Sequence, residues 1–252
     1  MKNLIAVSLV CGGLLVMLVG AVSLFWPLRL LAVRSRAAGA VVLVTGALIF
    51  VAGAMLPAGE TRIATPRTRL DEFAPVYQFS EFHSIEVSAS RQRTYDAVRQ
   101  VTAGEIRLLR TLTWIRRFGR PSPPGVLNAP SNEPVLDVAT RSGFLLLAEE
   151  PGREIVVGAL VRAPMGWRPD KKPTADDFKS LTAPGFALAS MNFLIDELGP
   201  DRCVVTTETR VFATDASSRR KFGEYWHLIY PGSALIRRMW LQAIKKRAEA
   251  AS

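Results

Sequence analysis

The chain has 252 residues, of which 49% are hydrophobic, and a formal net charge of +10 at pH 7. Its two cysteines, Cys11 and Cys203, lie in an apolar run and a strand-like run far apart in the sequence, so we expect no disulfide framework. Two histidines and no CxxC string give little material for a metal site, and the sequence contains no dinucleotide-binding, P-loop or zinc-protease motif. We therefore expect no metal and no cofactor.

Two long apolar runs open the sequence. Residues 4–26 and 37–58 contain no charged residue, and a helix over either run reaches about 33 Å, which matches a bilayer hydrocarbon core. A cleaved signal peptide is the alternative for the first run, but the run is longer than a typical signal core and an equal run follows. We predict a multi-pass membrane protein with two spans in residues 1–58.

Small residues recur every seven positions in both runs. Gly39, Gly46 and Gly53 lie in the second run, and Gly13 and Gly20 in the first. Heptad spacing places each set on one helix face, where small residues let two backbones approach closely. The alternative is that glycine is simply common in such spans. Because the link between the runs is short, the spans run antiparallel, and we predict a self-packing helical hairpin.

Charges beside the spans bear on orientation. Arg29, Arg34 and Arg36 lie in or beside the link, which favours a cytoplasmic link and an extracytoplasmic C-terminal domain. Three arginines in residues 62–69 argue for the opposite orientation. We expect the protein in the cell membrane, with the large domain outside the cytoplasm.

After the spans, residues 59–78 are polar and rich in proline and show no period, which predicts a linker. One globular domain is expected over residues 79–252. Residues 82–90 alternate as a strand does, with His83 expected to point outward. Ser90 is a typical N-cap for the helix that follows.

Further predicted elements follow the period of the apolar residues. Helices are predicted over residues 91–101 and 102–117, a loop over 118–134, and strands over 135–141, 144–150, 153–161, 186–196 and 202–214. The strands form an antiparallel meander, because short turns separate most of them.

The chain ends in a predicted helix over residues 217–247 with an apolar stripe. Pro231 lacks a backbone N–H and disfavours helical angles at Tyr230, so we expect the stripe to bend or break there and to restart at Ser233. A bent helix would follow a curved sheet, whereas two separate helices on a flat sheet are the alternative. The order of elements predicts an α+β fold with its helices on one face of the sheet.

This order resembles that of the START-like, or polyketide cyclase (SRPBCC), superfamily. Residues 85–101, "IEVSASRQRTYDAVRQV", are similar to its first strand and helix, and residues 203–248 are similar to its last strand and closing helix. The resemblance covers residues 81–247. It implies a helix-grip fold, in which the antiparallel sheet holds the long C-terminal helix and a cavity between them admits an apolar ligand. Members include lipid carriers, hormone receptors and aromatase/cyclases.

Five side chains are candidates for the ligand site. Glu208 and Arg210 share one face of the last strand, where they are either solvated outside or paired inside the pocket. Asn192 is an amide in an apolar strand, which either orients a ligand or bonds to a neighbouring strand. Trp226 and Tyr230 offer ring surface with polar tips, and core packing is the alternative for these aromatic residues.

Basic residues are concentrated in residues 102–120 and after Ser217. They suit anionic lipid headgroups, because the chain is expected at a membrane, or else they form a solvated basic surface. A nucleic-acid partner is not expected, since no recognition motif is present. With His227 expected in solvent and no nucleophile beside a base, no catalytic residue can be named.

We expect a membrane-anchored domain that binds a lipid or other hydrophobic small molecule between the sheet and the C-terminal helix. One alternative is a non-catalytic structural or partner-binding domain, in which Phe186, Phe193, Trp226 and Trp240 fill that space. An enzyme of the cyclase or dehydratase type is a further alternative, and it requires convergent polar groups inside the cavity.

Overall fold

The computed structural model describes residues 2–26, 28, 33, 35–171 and 173–250. Its helices are α1 (Lys2–Phe25), α2 (Arg36–Met55), α3 (Arg69–Phe73), α4 (Arg91–Gln100), α5 (Leu109–Arg116), α6 (Val135–Arg141), α7 (Ala175–Ser180) and α8 (Ala216–Ala250). Its strands are β1 (Thr61–Arg62), β2 (Val76–Tyr77), β3 (Phe79–Val87), β4 (Leu145–Glu150), β5 (Glu154–Arg162), β6 (Ala187–Gly199) and β7 (Arg202–Ala213).

The chain divides into two compact units. The first unit comprises residues 1–59 and 220–230, and the second comprises residues 60–219 and 231–252. Helix α8 contributes residues 220–230 to the first unit and residues 216–219 and 231–250 to the second, so it crosses the boundary between the units twice.

In the first unit, α1 and α2 pack against each other through their glycines. A Cβ added to Gly13 would lie 2.5 Å from the backbone nitrogen of Phe50, and one added to Gly46 would lie 2.5 Å from that of Met17. No other residue fits at such separations, so the heptad glycines set how closely the helices approach. The predicted packing of the two helices through these glycines is confirmed.

Much of the apolar surface of α1 and α2 remains exposed. Ile5–Phe25 and Arg36–Met55 are each long and apolar enough to cross a membrane, and Leu15 and Leu48 leave 66% and 67% of their surface uncovered. This exposure differs from that of a core helix in a water-soluble protein. Arg29 and Arg34, on which the predicted orientation depends, lie outside the described residues.

The second unit is built on five antiparallel strands in the order β3-β7-β6-β5-β4. These are the strands predicted over residues 82–90, 144–150, 153–161, 186–196 and 202–214, with boundaries shifted by a few residues. The α+β class, with an antiparallel sheet and a long C-terminal helix preceded by two apolar helices, is confirmed.

Residues 135–141 are helix α6, so the prediction of a strand there is wrong. The buried residues of this segment are Val135, Leu136, Val138 and Ala139. Their spacing covers one face of a helix and does not alternate as a strand with one buried face would. The short length of the segment left the helical period ambiguous in the sequence.

Helix α5 is shorter than the predicted helix over residues 102–117. Residues 102–108 form turns, in which the Glu105 carboxylate accepts hydrogen bonds from the backbone N–H and the hydroxyl of Thr102 at 2.7 and 2.9 Å. Helix α5 then begins at Leu109, after Leu108 in a left-handed conformation. The apolar residues keep a helical spacing across residues 102–117, but the left-handed conformation of Leu108 prevents one continuous helix there.

The inner face of the sheet is the face that packs against residues 231–250 of α8. Ile155, Phe193 and Val205 on this face share a core cluster with Trp240 and Ile244 of the helix. The ring centroids of Phe193 and Trp240 lie 5.0 Å apart. Side chains therefore fill the space between the sheet and this part of α8.

The outer face of the sheet is covered by α3 and α7. Leu70 of α3 and Phe178 of α7 form a second core cluster with Val156 and Leu188 of the sheet. Part of the segment predicted as a linker, residues 69–77, is thus packed in the fold, which corrects that prediction. The polar composition of this segment predicts no packed element, but its Leu70 side chain is fully buried.

Helix α8 continues without a break through Pro231, so the predicted restart at Ser233 is wrong. A proline inside a helix removes one backbone hydrogen bond, and a helix can continue with that loss. The Ser233 hydroxyl donates a hydrogen bond to Glu81 Oε2 of β3 at 2.8 Å and caps no helix.

The glycine contact can be tested with neighbouring residues of α1. We expect Gly13→Leu to destabilise the first unit by about 3 kcal/mol, because its side chain meets the α2 backbone. Gly12→Leu is the matched control, since a Cβ at Gly12 meets nothing within 4 Å. Heating the two variants in detergent and measuring the folded fraction by size-exclusion chromatography checks this. Equal midpoints for both variants would contradict the packing.

Candidate functional site

A large cleft lies at the β4 edge of the sheet in the second unit. Its volume is about 1140 Å³, and α6, β4, β5, α7, residues 167–171 and Pro173 surround it. Its apolar lining consists mainly of Phe144, Leu145, Ala159, Leu160, Trp167, Phe178 and Leu181. Its polar and charged lining consists of Thr140, Arg141, Arg168, Asp170, Lys171 and Asp177. We call this the β4-edge cleft.

Two glycines and one aromatic pair shape the β4-edge cleft. A Cβ added to Gly158 of β5 would lie 2.9 Å from Cζ of Phe178, so this ring rests on bare backbone. Gly143 has a φ of 112°, which favours glycine, where the chain passes from α6 into β4. Trp167 packs edge-on against Phe186, with ring centroids 5.2 Å apart.

Charged side chains lie among the lining residues of the cleft. Arg141 forms an ion pair with Glu133, and Lys171 Nζ lies 3.9 Å from Asp177 Oδ2. Hydrogen bonds from the backbone N–H and the hydroxyl of Thr174 lower the pKa of Asp177, so this carboxylate is charged at neutral pH. The cleft therefore presents both signs of charge beside an apolar lining.

This combination suits a molecule with an apolar body and a polar end. The lining residues that the structure describes include no cysteine and no histidine, and the Thr140 hydroxyl is bonded to the carbonyl oxygen of Leu136 at 3.1 Å. No nucleophile next to a base is therefore found among the described lining residues. Residues 35–171 and 173–250 also contain no group of three His, Cys, Asp or Glu side chains placed to hold a metal ion.

Three of the predicted site residues, Asn192, Glu208 and Arg210, lie on the outer face of the sheet. Asn192 is paired with Glu208 in the register of β6 and β7, and Arg210 reaches Asp71 of α3. The alternating residues of the same strands, such as Phe193 of β6 and Val205 of β7, point toward α8 instead. The expectation that these three side chains line a space between the sheet and α8 is thus corrected.

Arg210 is the centre of a buried ion-pair network. Its Nη1 donates to Asp71 Oδ1 at 2.6 Å, and its Nε donates to Glu208 Oε1 at 2.8 Å. Burial would lower the pKa of Arg210, but the bonds to Glu208 and Asp71 raise it above its ordinary value. Burial would likewise raise the pKa of Asp71, but hydrogen bonds from Arg67, Arg210 and Thr68 lower it. Both groups are therefore charged in the fold.

Asn192 forms hydrogen bonds to the two neighbouring strands, as the alternative to a ligand contact predicted. Its Nδ2 donates to Glu154 Oε1 at 2.7 Å, and its Oδ1 accepts from the backbone N–H of Glu208 at 3.0 Å. Glu154 in turn accepts from the backbone N–H groups of Arg69 and Leu70 at the first turn of α3. Asn192 thus belongs to the network that holds α3 on the sheet.

Trp226 and Tyr230 lie together in the first unit. Their ring centroids are 5.7 Å apart, and Phe222 lies 5.8 Å from Trp226. His227 is 2% exposed, so the expectation that it lies in solvent is wrong, and burial lowers its pKa. A ligand contact of Trp226 and Tyr230 stays a prediction.

Sequence reasoning missed a polar group on the inner face. Glu81 Oε1 lies 2.8 Å from His83 Nε2, and Glu81 Oε2 accepts from Ser233 at 2.8 Å. The expectation that His83 points outward is wrong, because β3 begins at Phe79 and its alternate residues from Phe79 to Val87 face inward. If the inward-facing residues of β3 are counted from Phe79 instead of Phe82, Glu81 and His83 fall on the same inner face.

The order of contacts in this group decides its chemistry. The Glu81 carboxylate lies between the serine and the imidazole, whereas a nucleophilic triad needs the imidazole in the middle. Burial lowers the pKa of Arg237, and nearby Glu81 acts against that effect. We interpret the group as a polar connection between β3 and α8.

Comparison with solved structures finds matches of low sequence identity. Human STARD10 is 12% identical over 78% of this chain and 77% of that chain, with a TM-score of 0.26. Zhui aromatase/cyclase from a Streptomyces species is 12% identical over 69% and 98%, with a TM-score of 0.26. Norcoclaurine synthase from Thalictrum flavum is 14% identical over 74% and 94%, with a TM-score of 0.31.

The likeness concerns the fold alone. No protein-family model and no curated protein sequence matches the chain.

Removal of Arg210 tests the ion-pair network. We expect Arg210→Leu to lower the free energy of unfolding by about 3–5 kcal/mol, because it leaves two carboxylates without their cation. Arg202→Leu is the control, since Arg202 and Glu86 form an exposed pair, and we expect a change of less than about 1 kcal/mol. Urea denaturation in detergent checks both values. A similar small loss for both variants would contradict the role of Arg210.

The lowered pKa of Asp71 predicts a pH dependence of stability. Its folded pKa lies below the ordinary value of 3.8, so its contribution is complete above that value and is lost as the pH falls through the folded pKa. We expect the free energy of unfolding to fall on acidification below 3.8, with a smaller slope in Asp71→Asn. Urea titrations across this range check the slope, and the same slope in both proteins would exclude Asp71 as a cause.

Proposed function

We propose that this chain is a membrane-anchored domain that binds a hydrophobic small molecule with a polar end in the β4-edge cleft. One observation carries the proposal: a cleft of about 1140 Å³ with an apolar lining and charged residues beside it. The predicted location between sheet and α8 is replaced, because Phe193 and Trp240 occupy that space in the second unit.

The dimensions and lining of the cleft support an amphiphile as its occupant. Ligand pockets of about 300–1,000 Å³ hold drug-sized molecules, so this cleft has room for one of that size or larger. Each methylene that moves from water into the apolar lining contributes about 0.8 kcal/mol. Lys171, Arg168 and Asp177 supply polar contacts for the end that stays near water.

The two apolar helices support the membrane anchor. Ile5–Phe25 and Arg36–Met55 have the length and composition of membrane spans, and they expose side chains such as Leu15 and Leu48 that lipid would cover. An anchored domain stays close to the bilayer, where hydrophobic molecules are concentrated. The proposed location is the cell membrane, and an extracytoplasmic position of the domain stays a prediction.

A structural or partner-binding role is the second candidate. It is favoured by the packing of Phe193 on Trp240 and by the complete burial of Leu241 and Ile244, which give the inner face an ordinary core. Phe186 does not share that core, because it packs in the outer cluster. An enzyme of the cyclase or dehydratase type lacks support in the β4-edge cleft, since no base lies beside a nucleophile among its described residues.

Ligand binding can be tested by filling the cleft. We expect the double variant Leu145→Trp/Leu160→Trp to weaken binding of a dansyl-labelled fatty acid by about tenfold or more, because the indole rings occupy the apolar lining. The control is Leu146→Trp/Val161→Trp, which changes exposed neighbours on the same two strands. Fluorescence titration of the full chain in detergent measures both affinities.

Two outcomes separate the candidates. Binding that is lost in the cleft variant and retained in the control supports the proposed function. Absence of binding to the parent chain, together with absence of a co-purifying small molecule in native mass spectrometry, would favour the structural role.

A further inference from the structure

A basic and apolar surface around α5 has no part in the proposed ligand site. Four large apolar side chains are exposed there, with 50% of Leu108, 56% of Trp114, 54% of Ile115 and 85% of Phe118 accessible. Helix α5 turns Leu109 and Thr113 into the protein, so the exposed residues lie on its outward side and at its two ends. We call this the α5 surface.

Two of these exposed residues have a left-handed backbone conformation. Leu108, directly before α5, has a φ of 59°, and Phe118, two residues after α5 ends, has a φ of 53°. These left-handed conformations favour glycine or asparagine. Glycine or asparagine would make these two turns more stable. This chain has leucine and phenylalanine there instead, which indicates that the two side chains serve a purpose other than folding.

Arginines alternate with the apolar residues. Residues 107–120 contain Arg107, Arg110, Arg116, Arg117 and Arg120 and no acidic residue. Arg107, Arg110 and Arg120 form no ion pair with any residue that the structure describes. The α5 surface therefore carries uncompensated positive charge beside its apolar side chains.

A small cleft adds a polar feature to the α5 surface. It has a volume of about 400 Å³, and Arg110, Trp114, Arg117 and Asn128 are among its lining residues. The Nε atom of Arg117 is buried and has no hydrogen-bond partner in the described part of the chain. Arg117 Nη1 donates to the carbonyl oxygen of Arg120 and Asn128 Nδ2 to that of Ser122, both at 2.7 Å. The guanidinium group of Arg110 and the Nε of Arg117 are the donors at this cleft that match the oxygen atoms of a phosphate group.

We propose that the α5 surface docks on an anionic lipid surface, with Trp114 and Phe118 in the interfacial region and the arginines on headgroup phosphates. Exposed aromatic and aliphatic residues flanked by arginines are typical of interfacial segments. Each arginine near an anionic surface adds favourable energy. A protein partner accounts less well for Arg107, Arg110 and Arg120, which form no ion pair with the residues that the structure describes. This inference rests on the proposed membrane anchor, because the anchor keeps the surface near lipid.

Spin labels on the full chain test the docking. Thr111→Cys places a nitroxide on the exposed side of α5, and Thr182→Cys places one at an exposed threonine elsewhere in the second unit. Both are made with Cys11→Ala and Cys203→Ala and reconstituted in phosphatidylcholine vesicles with or without phosphatidylglycerol. Power saturation with oxygen and with a water-soluble nickel complex reports the depth of each label.

We expect the label at residue 111 to be shielded from the nickel complex in vesicles with phosphatidylglycerol, and the label at residue 182 to stay accessible. The variant Arg107→Gln/Arg110→Gln/Arg120→Gln should restore the accessibility of residue 111, because the headgroup contacts are lost. Equal accessibility of both labels in all vesicles would overturn the proposal. Equal shielding without phosphatidylglycerol, unchanged in the triple variant, would overturn the assignment to anionic lipid.

Alkaline carbonate extraction of the same vesicles separates this inference from the anchor. A chain retained by the membrane with residue 111 accessible contradicts the docking alone, whereas a chain released by carbonate contradicts the anchor. Binding of the dansyl-labelled fatty acid is measured independently, so a failure of the β4-edge cleft is distinguishable from both.

Discussion

The sheet of the second unit has to cover both of its faces, and the remaining features of this unit depend on that constraint. Val156 and Val157 are neighbours on β5 that point to opposite faces, and both are buried. Helix α8 covers one face and α3 with α7 the other. A strand buried on both sides needs this arrangement, because an uncovered face would leave its apolar residues in water.

On each face of the sheet, a polar contact helps to position the helix that covers it. On the inner face, Ser233 of α8 donates to Glu81 of β3. On the outer face, Arg210 binds Asp71 of α3, and Glu154 accepts from the first turn of the same helix. Apolar packing supplies most of the stability and has no fixed direction, whereas hydrogen-bonded charges specify which helix lies where. Glu208 and Arg210 therefore belong to the connection between β7 and α3, and a ligand contact of either residue stays a prediction.

Because both faces of the sheet are covered by packed side chains, the cleft proposed for a ligand lies at the edge of the sheet. Trp240 and Phe193 fill the space beneath residues 231–250, and Leu70 and Phe178 fill the opposite side. At β4 the sheet ends, and the turn at Gly143 and the segment around Trp167 enclose a volume without filling it. The exposed side chains of the α5 surface, such as Trp114 and Phe118, lie outside both cores.

The sequence by itself determined the features that depend on local periodicity. The two apolar helices, the glycine faces through which they pack, most strands and the terminal helix follow from patterns within short segments. Tertiary structure decided which face each side chain meets, as at His83 and Arg210, because shifting an alternating pattern by one residue reverses both faces. It also decided the packing of Leu70 and the position of the β4-edge cleft, since these depend on contacts between residues far apart in the chain.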